Sequence, residues 1–217
     1  MKFLKRHAYA LVFTLFLMGA NVYSLLKVFV IPSAVSTVSA NTTSSTTASS
    51  TASTSTGKVT KTDTTYKDDN MDIKITTGKT SDTTYYVADI KLSSADYLKT
   101  ALAQNTYGTN ITETTSSIAQ QNNAIFAING DYYGANQSGY VIKNGQVYRD
   151  TDRNSDYEDL AVYSDGSFKT FKESDTTAQK LVDSGVVNTF AFGPTLVENG
   201  KIAVSENEEV GQAMADN

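Results

Sequence analysis

The chain has 217 residues, no cysteine, one histidine (His7), and 18 Lys/Arg against 23 Asp/Glu. With His7 in the basic N-terminal segment, these counts exclude a disulfide framework, a Cys-His pair, a Ser-His-Asp triad and thiolate or imidazole zinc. Residues 1–62 hold six Lys/Arg and no acid, while residues 63–217 hold 12 Lys/Arg and 23 Asp/Glu, an acidic balance that argues against a nucleic-acid partner.

Lys2, Lys5 and Arg6 precede Ala8–Leu26, a stretch of 19 residues without a charge. As a helix it would span about 28 Å at about 1.5 Å per residue, close to the hydrocarbon thickness of a bilayer. The pattern predicts a transmembrane signal-anchor through residues 8–26, with its basic end in the cytoplasm. The other reading is a cleaved signal peptide, although its small-residue site, Val38-Ser39-Ala40, lies far beyond Leu26. Either reading exports everything after Pro32. The expected location is the cell membrane, single-pass, with an extracellular globular domain.

From Asn41 to Thr56, 13 of 16 residues are Ser or Thr. Such a segment buries too little apolar area to offset its ordering entropy. A disordered stalk is predicted over Ser36–Thr65, with a reach of about 30 Å as a flexible coil. The expected division is an anchor at 1–31, a stalk at 32–65 and a globular part at 66–217.

In the globular part, Asp72–Thr76 and Tyr85–Leu92 alternate as strands, paired through a Gly78–Thr83 turn. Ser93-Ser94-Ala-Asp predicts the start of a helix in which Tyr97, Leu98, Ala101 and Leu102 share a face. A second helix fits Thr115–Gln121. Ala124–Ile128 reads as a buried strand running into Asn129-Gly130-Asp131 and then Tyr132-Tyr133. A strand that ends in a tight polar turn beside aromatics is a common way to present a small-molecule site. Asn144-Gly145, Asp165-Gly166 and Asn199-Gly200 each separate apolar runs and signal hairpins, because these residues supply positive φ. A third helix is expected near Thr177–Ser184, with Gly185 as its C′ residue. The predicted class is α+β: a mostly antiparallel sheet with short helices, preceded by a transmembrane helix and a disordered stalk.

An ordered set of segments carries a family resemblance. It comprises Ala124–Tyr133, Gly139-Tyr-Val-Ile-Lys-Asn-Gly145, Val147-Tyr148-Arg149, Ala161-Val-Tyr-Ser-Asp-Gly166 and Phe190-Ala-Phe-Gly-Pro-Thr-Leu-Val197 with Asn199-Gly200. Together they resemble the phosphodiester glycosidase family, which includes the enzyme that uncovers mannose 6-phosphate and bacterial proteins labelled exopolysaccharide biosynthesis proteins. The resemblance spans roughly Ile73 to Asn217. It implies a hydrolase acting on a sugar-phosphodiester or cell-wall polysaccharide. Family domains continue into an Arg-Thr-Ala-Ile-Gly-like strand and a Leu-Asp-Gly-Gly-Gly-Ser-like turn, neither of which occurs here. The expectation is therefore an N-terminal fragment, incomplete at its C-terminus and inactive by itself.

The implied chemistry needs a carboxylate, donors for the sugar and a cation for phosphate. Asn129 can donate to and accept from a sugar, or close the turn through its own backbone. Asp131 is a base, a metal ligand or a turn cap, and Arg149 is a phosphate clamp or a surface arginine paired to Asp150 or Asp152. These three are the catalytic candidates. Gly130, Tyr132, Tyr133 and Gly193 are the substrate-binding candidates, with one of the two tyrosines expected to pack in the core. Phe192-Gly193-Pro194 also reads as a structural bend. Asp150, Asp152, Asn154 and Asp156 resemble the start of an EF-hand loop that would hold calcium. Ser155 stands where the glycine belongs and Ala161 where the glutamate belongs, so a solvated acidic loop is the competing reading. The rival to an enzyme is a non-catalytic surface module that binds exopolysaccharide or assists its assembly.

Overall fold

A computed structural model describes residues 2–34, 58–153, 158–191 and 193–205. Helix α1 covers Lys2–Phe29. Thr14, Asn21, Ser24 and Lys27 interrupt its apolar run, and Asn21 turns its amide back onto the Leu17 carbonyl at 2.8 Å. Among the described residues no helix is long and apolar enough to cross a membrane. The predicted transmembrane helix is corrected accordingly.

The stalk prediction falls largely on residues 35–57, outside the described residues. Its last part is replaced by strands: β1 (Ser33–Ala34) precedes the gap, and β2 (Thr60–Lys61) and β3 (Thr65–Lys67) follow it. The first large sheet therefore begins before Tyr66. It runs in the order β2-β3-β4-β5, all antiparallel, with β4 at Met71–Lys79 and β5 at Thr84–Leu92. The β4–β5 turn closes by Thr80 N–H donating to Thr83 O at 2.8 Å. Both strands outrun their predicted lengths, because polar threonines continue the pairing to Lys79 and Thr84.

The predicted helix after Ser93 is one 3₁₀ turn, Ala95–Tyr97, capped by the Ser94 hydroxyl. Leu98 is already extended, and Tyr97 and Leu98 are exposed, so no covered apolar face supports further turns. Another 3₁₀ turn, Ala103–Asn105, leads to β6 (Gly108–Thr109), which pairs with β1. Helix α2 (Thr115–Gln121) has the predicted limits, with Thr114 accepting from Ser117 N–H. The predicted strand Ala124–Ile128 does not form. That segment pairs with no strand among the described residues, and Ile125 and Ile128 are exposed.

The second half is built on antiparallel hairpins. β7 (Val141–Lys143) pairs with β8 (Gln146–Arg149), and Asn144 (φ 51) and Gly145 (φ 79) supply the two positive φ angles of their turn. A three-stranded sheet has the order β10-β9-β11, with β9 at Glu158–Tyr163, β10 at Phe168–Lys172 and β11 at Val186–Phe190. Its β9–β10 turn covers residues 164–167 rather than the Asp-Gly pair alone, and Asp165 caps it by accepting from Ser167 N–H at 2.8 Å. A 3₁₀ turn at Glu173–Asp175 precedes α3 (Ala178–Asp183), which is capped by Thr177 and followed by Gly185 at φ 99. β12 (Val197–Glu198) and β13 (Lys201–Ile202) form the last hairpin.

β7 lies beside β11 through side chains. Thr189 Oγ1 accepts from Ile142 N–H at 3.0 Å and donates to Tyr140 O at 3.1 Å. Asn188 Oδ1 accepts from Asn144 N–H at 2.9 Å. The core beneath gathers Tyr140, Ile142, Ala161, Ala178, Leu181 and Val186, with Val147 and Phe171 packed against it. The antiparallel α+β character is therefore as predicted.

Candidate functional site

The turn predicted to carry the site is divided between solvent and core. Asn129 and Gly130 are exposed, and Tyr132 is 62% exposed. Asp131 turns inward, its side chain 3% exposed. Its Oδ1 lies 3.1 Å from Lys143 Nζ, and its Oδ2 accepts from Ala191 N–H at 3.0 Å. This carboxylate thus ties the turn to both β7 and the end of β11.

Lys143 is the cation that makes this possible. It ends β7, is 5% exposed, and also donates to Thr189 O at 2.7 Å. Its ammonium stands 4.1 Å from the Phe190 ring centroid and 5.9 Å from that of Tyr133. Burial holds Lys143 below the ordinary lysine range, and Asp131 opposes that shift. A β-carbon added at Gly130 would come within 3.7 Å of the Phe190 ring, so Gly130 lies over the same group.

Tyr133 is the tyrosine that packs inward. Its ring stacks on Tyr107 at 5.4 Å, and Tyr107 meets Tyr148 at 5.1 Å. Burial raises the Tyr107 and Tyr133 phenols above the ordinary tyrosine value. Arg149 is spent on the loop that leaves this cluster. Its Nε donates to Gly139 O at 2.5 Å, and its Nη1 donates to Tyr133 O at 2.9 Å and Asn136 O at 2.5 Å. The structure thus brings Gly130, Asp131 and Tyr133 together around Lys143, with Arg149 clamping the following loop.

Gly193 lies elsewhere on the strand end, where an added β-carbon would be 3.5 Å from Glu158 O; Phe192 lies outside the described residues. Asp150 and Asp152 are exposed, and Asn154 and Asp156 lie outside the described residues. No group of three metal-ligating carboxylates or histidines gathers among the described residues.

Sequence reasoning missed Lys143, Tyr107 and Thr189. A lysine that follows Tyr140-Val-Ile on a buried strand was a usable signal, because a buried ammonium demands an anion. Nothing in the local sequence marks Thr189.

Chemically, the exposed Asn129 amide can both donate and accept beside an exposed tyrosine face. Two residues along the chain, Asp131 is held in a buried ion pair with Lys143 that fixes the turn. Residues 122–215, which contain this turn, match the model of a family described as phosphodiester glycosidase, a family of glycosidase-type hydrolases. The chain is also similar to the SPbeta prophage-derived uncharacterized protein YomE of Bacillus subtilis (strain 168), being 32% identical over 99 residues. That alignment covers 44% of this chain and 15% of the relative, so the chain spans a small part of the curated protein it matches. No solved structure matches.

Proposed function

We propose that the protein hydrolyses a sugar-phosphodiester linkage, with the Asn129–Tyr133 turn forming one wall of its site. The observation that carries this reading is the family match over residues 122–215, which encloses the turn, Lys143 and Arg149. Asn129 would hold a sugar or phosphate oxygen, and Tyr132 would offer a face for the sugar ring. Asp131 acts here as the anchor of the turn, because both of its oxygens are engaged. Arg149 shapes the loop from Tyr133 to Gly139 by taking three of its carbonyls.

The same engagement of Asp131 and Arg149 favours a second reading, a non-catalytic module that binds a surface polysaccharide. Incubating the full-length protein with a panel of sugar-phosphodiesters, including UDP-N-acetylglucosamine and teichoic-acid-type diesters, separates the two. Release of free sugar supports hydrolysis. Saturable binding to polysaccharide without release supports the module.

A further inference from the structure

Asp159 on β9 and Glu173 after β10 are 1% and 2% exposed, and the hydrolase reading uses neither. Arg153 lies between them. Its Nη2 bonds Asp159 Oδ1, and its Nε stands 3.6 Å from Glu173 Oε2. Glu173 accepts from Tyr140 N–H at 2.6 Å through Oε1 and from Arg153 N–H at 2.6 Å through Oε2. Asp159 Oδ2 is buried and meets no donor. Arg153 Nε is the other buried atom here without a partner; two ionised carboxylates are acceptors only, so between them Oδ2 gains a partner when one of the pair carries a proton.

The charges around the pair come from every element packed against it. β7 contributes Lys143, which interacts with Asp159, and the turn before it contributes Asp131. The loop before β9 contributes Arg153, with Asp150 and Asp152 exposed beyond it near Tyr140. Tyr140 donates its hydroxyl to the Glu173 and Thr176 carbonyls. β10 sets Phe171 opposite Asp159 with Lys172 next to it, and β11 brings Thr189 and Phe190 opposite Ala161 and Leu160. On β9 itself, Glu158 is exposed and accepts from Thr195. The buried charges are thus Lys143 against Asp131, Asp159 and Glu173, with Arg153 and Lys172 half-buried beside them.

We propose that Asp159 and Glu173 form a proton-binding site, with one proton held on Asp159 and donated to Glu173, whose loss destabilises the fold beneath the Asn129 turn. Burial, and then the neighbouring Glu173, push the Asp159 carboxyl up to about 8, against the pull of Arg153. The folded value lies above the unfolded one. The stabilisation is therefore full below about pH 4 and is lost as pH rises toward 8. This inference does not depend on the hydrolase reading.

The test is the stability of the full chain between pH 5 and 8, for wild type and Asp159→Asn. The amide keeps the donor toward Glu173 and cannot ionise. Relative to the variant, the wild-type unfolding constant should rise about tenfold per pH unit over this window. Calorimetry of wild type at pH 6, in buffers of different ionisation enthalpy, should find about one proton released on unfolding. Parallel pH profiles for the two proteins would overturn the proposal. If the variant does not fold, the absence of proton release from wild type would do the same.

Discussion

Replacing Lys143 with methionine keeps most of the side-chain volume and removes the cation. Asp131 would keep only the Ala191 N–H on Oδ2, and Oδ1 would lose its partner inside the protein. Thr189 O would lose its 2.7 Å donor as well. Removing one partner of a buried pair costs about 3–5 kcal/mol, because the other charge is left uncompensated. The domain's total stability should be about 5–15 kcal/mol, so the variant should be near the edge of folding. In urea the midpoint should fall by about 2 M, read by far-ultraviolet circular dichroism. Adding Asp131→Asn to Lys143→Met removes the stranded charge and should recover more than about 1 kcal/mol. A loss below about 1 kcal/mol for Lys143→Met would refute the reasoning. So would single-variant losses that simply add in the double variant.

Other changes separate structural from functional residues. Arg149→Lys keeps the charge but loses the fork that spans three carbonyls, and should cost about 1–3 kcal/mol in thermal unfolding. Ile142→Ala, at a fully buried core position, should cost about 2–5 kcal/mol in urea unfolding. Asn129→Ala, at an exposed position, should leave stability within about 0.5 kcal/mol while weakening substrate turnover.

The parts of the fold legible in the sequence are those set by local chemistry. Asn144-Gly145 and Asn199-Gly200 adopt the positive φ angles that their hairpins need, and Thr114, Thr177 and Gly185 delimit the two short helices. Ala124–Ile128 misled because a run of apolar residues has no period that identifies a partner, and this one has no strand beside it among the described residues. Ser93-Ser94 marked a true cap, but a cap alone cannot extend a helix whose Tyr97 and Leu98 remain exposed. The uncharged run at residues 8–26 has the length of a span, but Thr14, Asn21 and Ser24 within it lower its apolarity.

For the site, the sequence located the turn but not its support. Asp131 looked like a free carboxylate because its partners, Lys143 and Ala191, lie 12 and 60 residues away along the chain. Arg149 reads as a phosphate clamp or a partner of Asp150 or Asp152, because its actual acceptors are backbone carbonyls that no residue type announces. The buried Asp159–Glu173 pair is equally non-local, being joined only when the β9–β10 hairpin closes.

The central claim is that the Asn129 turn belongs to a site that cleaves sugar-phosphodiesters. The most direct measurement is chromatographic detection of free sugar released from such diesters by the full-length protein, compared with its Asn129→Ala variant. Release by wild type is predicted, with the variant slower by about tenfold, the effect of one hydrogen bond of about 1.4 kcal/mol in the transition state. No release by wild type across the panel, or equal rates for both proteins, would contradict the account.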